Sequence, residues 1–176
     1  MLKQYPLRDI NQQNSQWFVE VAFNAPHAPY HVPPTASYSH VTLTGNEADD
    51  CTPAAASDDM ADCYRAAAEA MDTYIGELIA QIPAEVIANT LIIFVGDNGT
   101  PQEVVINETG YPFIAEHAKG TVYEGGINVP LVIWAGENVG LDTGEISEKT
   151  QISDLFSTIL EVAGATPTSG VLIDGQ

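Results

Sequence analysis

Thr90–Gly96 (TLIIFVG) is an apolar run without alternation, and Asp97-Asn98-Gly99 follows it at once. Such a run is typical of a strand buried on both faces, as in the parallel sheets of α/β proteins. Ligands of open α/β sheets bind outside the carboxyl ends of the strands. The stretch therefore predicts a central strand with polar side chains at its ligand-binding end.

The segments on either side predict further strands and helices. Trp17–Phe23 (WFVEVAF) and Pro130–Trp134 (PLVIW) are short and rich in β-forming residues, as strands are. An apolar stripe at helical spacing predicts a helix that Pro83 terminates. Its members are Tyr64, Ala68, Met71, Ile75, Leu78 and Ile82. A second helix is predicted over Ser153–Ala163, with Ser153 as its N-cap and Gly164 as its C′ residue. The order of elements predicts α/β layering.

Length and charge exclude several classes of protein. The 176 residues carry 24 Asp and Glu against 5 Lys and Arg, a formal net charge of −19. Five cations cannot form the basic face that nucleic acids or anionic membranes require. Hydrophobic residues make up 45% of the chain, which argues against disorder. We expect a single domain over residues 1–176, with neither a membrane span nor a signal peptide.

Asp97 and Asn98 are candidate metal ligands. A carboxylate beside an amide carbonyl supplies two hard oxygen donors, the kind that Ca²⁺ and Mg²⁺ prefer. The same residues could form an ordinary turn, because Asn-Gly is a strong turn dipeptide.

Two basic side chains are candidate catalytic residues. His27 lies between Pro26 and Pro29, which restrict the backbone, so its imidazole could bind an oxyanion or donate a proton. Lys119 precedes Gly125-Gly126, and its ammonium could neutralise charge on an anion. Each pattern also fits an ordinary surface loop.

Cys51 and Cys63 enclose a short loop. A disulfide between them would contribute roughly 3 kcal/mol in the loop-entropy model. It would also indicate an oxidising compartment, whereas two free buried thiols are the alternative.

Taken together and in order, five segments resemble the sulfatase family of the alkaline phosphatase superfamily. They are FVEVAFNAPHAPYHVPP (18–34), YRAAAEAMDTYIGELI (64–79), NTLIIFVGDNG (89–99), KGTVYEGGINVPLVIW (119–134) and ISDLFSTILEVAGA (152–165). The resemblance implies an alkaline phosphatase-like sandwich, with a largely parallel central sheet flanked by helices and incomplete at its N-terminal side. It also implies a periplasmic or extracellular protein.

The resemblance implies a mechanism as well. In the family, the hydrate of a formylglycine, made from Cys or Ser, attacks the sulfur of a sulfate ester, and a divalent cation, usually Ca²⁺, holds the nucleophile and the sulfate oxygens. At the matching positions, Asp97 and Asn98 would be metal ligands. Lys119 would contact the sulfate and the nucleophile, and His27 would lie at the sulfate or leaving-group oxygen. His117 is a weaker candidate for the rim of the pocket.

The chain departs from the family at the nucleophile. The family's Cys/Ser-x-Pro-x-Arg motif and a strand with paired Asp residues precede the first matching segment, and the chain is expected to begin too late to contain them. Cys51-Thr52-Pro53 imitates the motif but follows His27 and lacks the Arg. We therefore expect part of a sulfatase catalytic domain that is inactive by itself. A phosphoesterase or phosphonate hydrolase of the superfamily, or a non-catalytic module binding a cation or anion, are the alternatives.

Overall fold

The computed structural model describes residues 16–46, 51–52, 57–105 and 114–175. These residues form four α-helices, two β-strands and three single turns of 3₁₀-helix. The α-helices are α1 (Ser57–Ala80), α2 (Ala84–Ile87), α3 (Glu124–Ile127) and α4 (Asp154–Val162). The strands are β1 (Leu91–Val95) and β2 (Leu131–Ala135), and the 3₁₀ turns are Thr35–Ser37, Gln102–Val104 and Ala115–His117.

Helix α1 confirms the longer of the two predicted helices. The face that it buries most deeply lies beside the predicted apolar stripe. The predicted stripe is half-buried, whereas the deepest residues of the helix are small ones: Ala61, Cys63, Ala66, Ala67 and Ala70. Small side chains let the irregular segment 28–40 approach the helix backbone closely. Thr73 in α1 donates a hydrogen bond to the Ser37 carbonyl at 3.1 Å, so the approach extends over several turns.

The two predicted strands β1 and β2 exist but run antiparallel, which corrects the expectation of a largely parallel sheet. Leu91 pairs with Ala135 and Val95 with Leu131. Just beyond the ladder, the Gly96 N–H donates to the Pro130 carbonyl at 3.1 Å, so the chain returns at the end where β1 finishes. A parallel partner would instead need a crossover to the opposite end of the sheet.

Strand β1 is also less buried than predicted. Most of its residues are half-buried, and Phe94 is 37% exposed. On the same face, Val132 is 56% and Trp134 is 46% exposed. No helix among the described residues covers this face, so the prediction of burial on both sides is wrong for this pair.

The segment 17–23, predicted as a strand, forms no β-ladder within the described part of the chain. Its residues nevertheless alternate between half-buried and exposed, with Phe18 on the exposed side. Alternation of this kind is what one face of a strand produces. The burial pattern thus fits the predicted strand, but the described residues do not include a strand here.

The core joins the start of α1 to residues from three other segments. Tyr30, Cys51, Ala61, Cys63 and Val104 are buried against one another. Cys51 and Cys63 form a disulfide, with their Cα atoms 5.6 Å apart. The disulfide ties the long irregular segment after residue 24 to α1, and Pro53–Ala55 of the imitated motif lie outside the described residues.

Helix α4 confirms the second helical prediction and its C-terminal signal. Gly164 has φ +62°, its N–H bonds the Glu161 carbonyl, and the Ala165 N–H bonds the Leu160 carbonyl. This pair of bonds is the Schellman motif that a C′ glycine favours. Ser153 occupies the N-cap position but makes no capping side-chain hydrogen bond.

The described residues thus combine helices and strands, as an α/β protein does, without the predicted sandwich. None of the helices in the described ranges combines the length and hydrophobicity that a membrane crossing requires.

Candidate functional site

The Asp97-Asn98 turn leaves the end of β1 and packs against a glycine pair. The Gly99 N–H donates to the Gly126 carbonyl at 3.0 Å. A Cβ atom at Gly99 would lie 1.9 Å from the Gly125 carbonyl oxygen, so only glycine fits this approach. Asp97 and Asn98 are exposed, and their side chains extend from a backbone that is held in place.

Lys119 is fixed beside the same turn through its backbone. Its N–H donates to the Thr100 carbonyl at 2.8 Å, and the preceding Ala118 is fully buried. The Thr121 hydroxyl donates to the Ala118 carbonyl at 2.8 Å and closes the loop around Lys119. Together with the Gly99–Gly126 bond, these contacts hold the segments of Asp97, Asn98 and Lys119 side by side.

His117 lies in the 3₁₀ turn Ala115–His117, two residues before Lys119. Its ring stacks on Tyr123, with centroids 3.6 Å apart and planes 20° apart. Tyr123 is 52% exposed, so the stacked pair presents an aromatic surface beside the Lys119 loop. The sequence reasoning missed Tyr123 as a candidate, although it belongs to a segment that matched the family.

His27 occupies a tight turn in which its N–H donates to the Asn24 carbonyl at 2.9 Å. Its Nδ1 lies 2.7 Å from the Ala28 carbonyl oxygen, which can only accept, so Nδ1 carries the proton in this contact. This arrangement leaves Nε2 for an external group. The imidazole is exposed and makes no direct contact with Asp97, Asn98 or Lys119 among the described residues.

The described residues do not by themselves form a cation site. No group of three or more His, Cys, Asp or Glu within them is arranged to hold a metal ion. Asp97 and Asn98 match the donor chemistry of Ca²⁺ but fall short of its usual 6–8 oxygen ligands. No catalytic step through a cation is derived from these residues alone.

A contact that the sequence did not reveal links the His27 loop to the Asp97–Thr100 segment. The Tyr30 hydroxyl donates to Glu103 Oε1 at 3.1 Å, and the two residues are 73 positions apart. Burial, followed by the charge and the hydrogen bond of Glu103, raises the pKa of the Tyr30 phenol above its ordinary value. Tyr30 therefore remains a hydrogen-bond donor at neutral pH.

A cavity of about 670 Å³ lies elsewhere on α1 and contains none of the predicted site residues; His40, Val41, Thr42, Asp62, Arg65 and Glu69 line it. The Glu69 carboxylate accepts hydrogen bonds from the Ser39 hydroxyl at 3.0 Å and the His40 N–H at 3.1 Å, and also contacts the His40 ring. Desolvation opposes its ionisation, but these hydrogen bonds outweigh that effect and lower the pKa of Glu69 to about 2. Glu69 therefore fixes the loop at residues 39–40 onto α1.

Comparison with known proteins identifies the family. The model of the Sulfatase family matches residues 3–165. Mouse N-acetylgalactosamine-6-sulfatase is 28% identical over 167 residues, which cover 93% of this chain and 28% of the relative. Human arylsulfatase A is 34% identical over 107 residues, covering 60% of this chain and 20% of the relative. No solved structure matches the chain with significance.

Rat steryl-sulfatase is 34% identical over 119 residues, covering 64% of this chain and 20% of the relative. The chain spans less than a third of each of these three relatives. The family match nevertheless extends over the irregular loop, α1, the β1–β2 pair and α4, and so includes every predicted site residue. The chain belongs to the sulfatase family.

Proposed function

We propose that the chain forms part of a sulfate ester hydrolase and carries the side of the site that holds the sulfate and the leaving group. The observation that carries this proposal is the pairing of the Asp97–Thr100 turn with the Lys119 loop. Two backbone hydrogen bonds, Lys119 to Thr100 and Gly99 to Gly126, hold an acidic turn next to a lysine in a chain that matches the sulfatase family.

Lys119 and His27 are proposed to act directly on the ester. Cleavage of the S–O bond leaves negative charge on the sulfate oxygens and on the departing alcohol oxygen. A fixed ammonium at Lys119 stabilises the first charge where it develops. His27 would act as the imidazolium, in which Nδ1–H donates to the Ala28 carbonyl and the second proton, on Nε2, passes to the alcohol oxygen.

Asp97 and Asn98 are proposed as two of several ligands of a divalent cation, Ca²⁺ or Mg²⁺. Such a cation would lower the charge density on the sulfate oxygens when it is bound. The nucleophile must come from outside these residues, because no Cys or Ser here is followed by Pro two positions later and Arg four positions later. A periplasmic or extracellular setting and a small-molecule or saccharide sulfate ester complete the proposal, and the disulfide supports the setting.

Sulfate binding by calorimetry tests the proposed role of Lys119. We expect the chain to bind sulfate and Lys119→Ala to weaken that binding about tenfold, as loss of a charge-assisted contact does. Lys149→Ala removes an exposed lysine far along the chain and is the matched control. Equal effects of the two substitutions would contradict the proposal, and preferential binding of phosphate would favour a phosphoesterase.

Measurements of aryl sulfate hydrolysis and of Ca²⁺ binding distinguish part of an enzyme from a non-catalytic binding module. The chain alone is expected not to hydrolyse an aryl sulfate, because it lacks the nucleophile motif. Turnover that is lost in Asp97→Ala would show instead that the chain is a complete enzyme. Micromolar Ca²⁺ binding without turnover would favour the non-catalytic module, since two ligands alone should bind Ca²⁺ much more weakly.

A further inference from the structure

Tyr30 anchors the loop that carries His27. It lies three residues after His27, is only 8% exposed, and packs edge-on against Tyr64 of α1, with ring centroids 6.2 Å apart. Its hydroxyl reaches a third part of the molecule through the 3.1 Å hydrogen bond to Glu103. The residues between His27 and Tyr30 include Pro29, whose fixed φ angle limits how far the two ends can move independently.

Glu103 connects this anchor to the Asp97–Lys119 side of the candidate site. It lies in the 3₁₀ turn Gln102–Val104, which begins two residues after the Thr100 carbonyl that receives the Lys119 N–H. Val104, the next residue, is buried in the same cluster as Tyr30. The turn also contacts the 3₁₀ turn Ala115–His117.

We propose that Tyr30 and Glu103 are positioning residues whose hydrogen bond sets the place of His27 relative to Asp97, Asn98 and Lys119. This inference rests on the proposed function, because the position of His27 matters to the reaction only if His27 acts on the ester. Neither residue touches the ester. They act by joining the loop that carries His27 to the segment that follows Asp97 and Asn98.

The Tyr30 ring and the Tyr30 hydroxyl have separable roles. Tyr30→Phe keeps the ring against Tyr64 and removes only the bond to Glu103. Glu103→Ala removes the acceptor, whereas Glu103→Gln keeps a carbonyl oxygen that can accept from Tyr30. A purely space-filling role would leave the position of His27 unchanged in Tyr30→Phe and would not distinguish Ala from Gln at position 103.

The experiment follows the His27 imidazole by NMR in the full 176-residue chain, with its signal assigned through His27→Gln. We expect Tyr30→Phe and Glu103→Ala each to shift this signal and to weaken sulfate binding about threefold to tenfold, the effect of one lost hydrogen bond. Glu103→Gln should restore the wild-type signal. The double variant Tyr30→Phe/Glu103→Ala should be no worse than either single variant, because both remove the same bond.

Tyr74→Phe, which removes a half-buried tyrosine hydroxyl elsewhere on α1, is the matched control and should leave the His27 signal unchanged. An unchanged His27 signal in Tyr30→Phe, or equal effects of Ala and Gln at position 103, would overturn the inference. The free-state signal tests positioning without any ligand. Failure of the wild-type chain to bind sulfate would therefore count against the proposed function alone.

Discussion

Two regions of the molecule differ sharply in how their apolar residues are covered. The loop–helix region, residues 28–32, 51–52, 57–70 and 104, buries its apolar residues around a disulfide. The strand-pair region, β1 and β2 with the turn at 96–100, leaves Phe94, Val132 and Trp134 substantially exposed. The candidate site draws His27 from the edge of the first region and Asp97 and Asn98 from the second. Lys119 belongs to a separate loop whose backbone is bonded to Thr100 of the second region.

This difference indicates that the two regions of the described chain are stabilised by different kinds of contact. The loop–helix region has a cross-link, an edge-on aromatic pair and the hydrogen bond from the buried Tyr30 to Glu103. The strand-pair region relies on one antiparallel ladder and on close backbone contacts between glycines. A two-stranded sheet alone is only marginally stable in water, so substitutions in the two regions should have different consequences.

Removal of the disulfide should have the largest effect. Cys51→Ser/Cys63→Ser releases a link between residues 12 apart and should lower the free energy of unfolding by about 3 kcal/mol in the loop-entropy model. Urea unfolding with and without reductant measures this change. Reductant should destabilise the wild type and leave the double variant unchanged; insensitivity of the wild type would mean that the loop–helix region does not depend on the disulfide.

Gly99→Ala should disrupt the turn of the strand-pair region. The added Cβ would lie 1.9 Å from the Gly125 carbonyl oxygen, so backbone must move, at a cost of about 1–3 kcal/mol. Gly76→Ala in α1 meets nothing within 4 Å and should stabilise the helix by up to about 1 kcal/mol. Thermal melting compares the two, and opposite signs are expected; equal shifts would contradict the close packing of this turn.

A valine-to-threonine substitution in each region compares directly how well the two regions cover their apolar side chains. Val104 is 3% exposed, so Val104→Thr buries a hydroxyl and should cost about 1–3 kcal/mol. Val132→Thr in β2 leaves its hydroxyl in water and should change stability by less than about 0.5 kcal/mol. Chemical denaturation of the two variants tests the comparison, and a larger cost at Val132 would mean that the sheet face is covered in solution.

The smallest expected effect is a pH dependence from Glu69. Its pKa is lowered from 4.5 to about 2 in the folded chain, so it contributes stability above pH 4.5 that is lost as the pH falls toward 2. Glu69→Gln should lose this part of the acid dependence when melting temperature is followed against pH. An acid dependence in Glu69→Gln equal to that of the wild type would contradict this contribution.

The sequence predicted the two longer helices, α1 and α4, because their signals are local; the single-turn helices α2 and α3 were not predicted. Pro83 and Gly164 lie close to helix ends, and the spacing of apolar residues marked α1. The antiparallel pairing of β1 with β2 was not predicted, because a run of apolar residues does not specify how the chain returns to its partner. That return depends on bonds such as Gly96 to Pro130, which join residues distant in sequence.

The candidate site likewise contains residues with a local sequence signal, which were predicted, and contacts between distant residues, which were not. Motif matching predicted Asp97, Asn98, Lys119 and His27, since each lies in a short segment with a recognisable pattern, and His117 was added as a weaker candidate because it is two residues before Lys119. It missed Tyr30 and Glu103, because a hydrogen bond between residues 73 apart leaves no local pattern in one sequence. The stacking of Tyr123 on His117 was missed for a related reason, since two aromatic rings six residues apart need the loop geometry to meet.

The most direct test of the account is a map of the amide and imidazole signals that sulfate changes in the 176-residue chain. Because these residues are proposed to form one site, sulfate should perturb the Lys119 and Thr100 amides, the Asn98 side chain and the His27 imidazole together, with one binding constant. Perturbations confined to exposed lysines such as Lys149, or differing in binding constant between His27 and Lys119, would contradict the claim that these residues form one site.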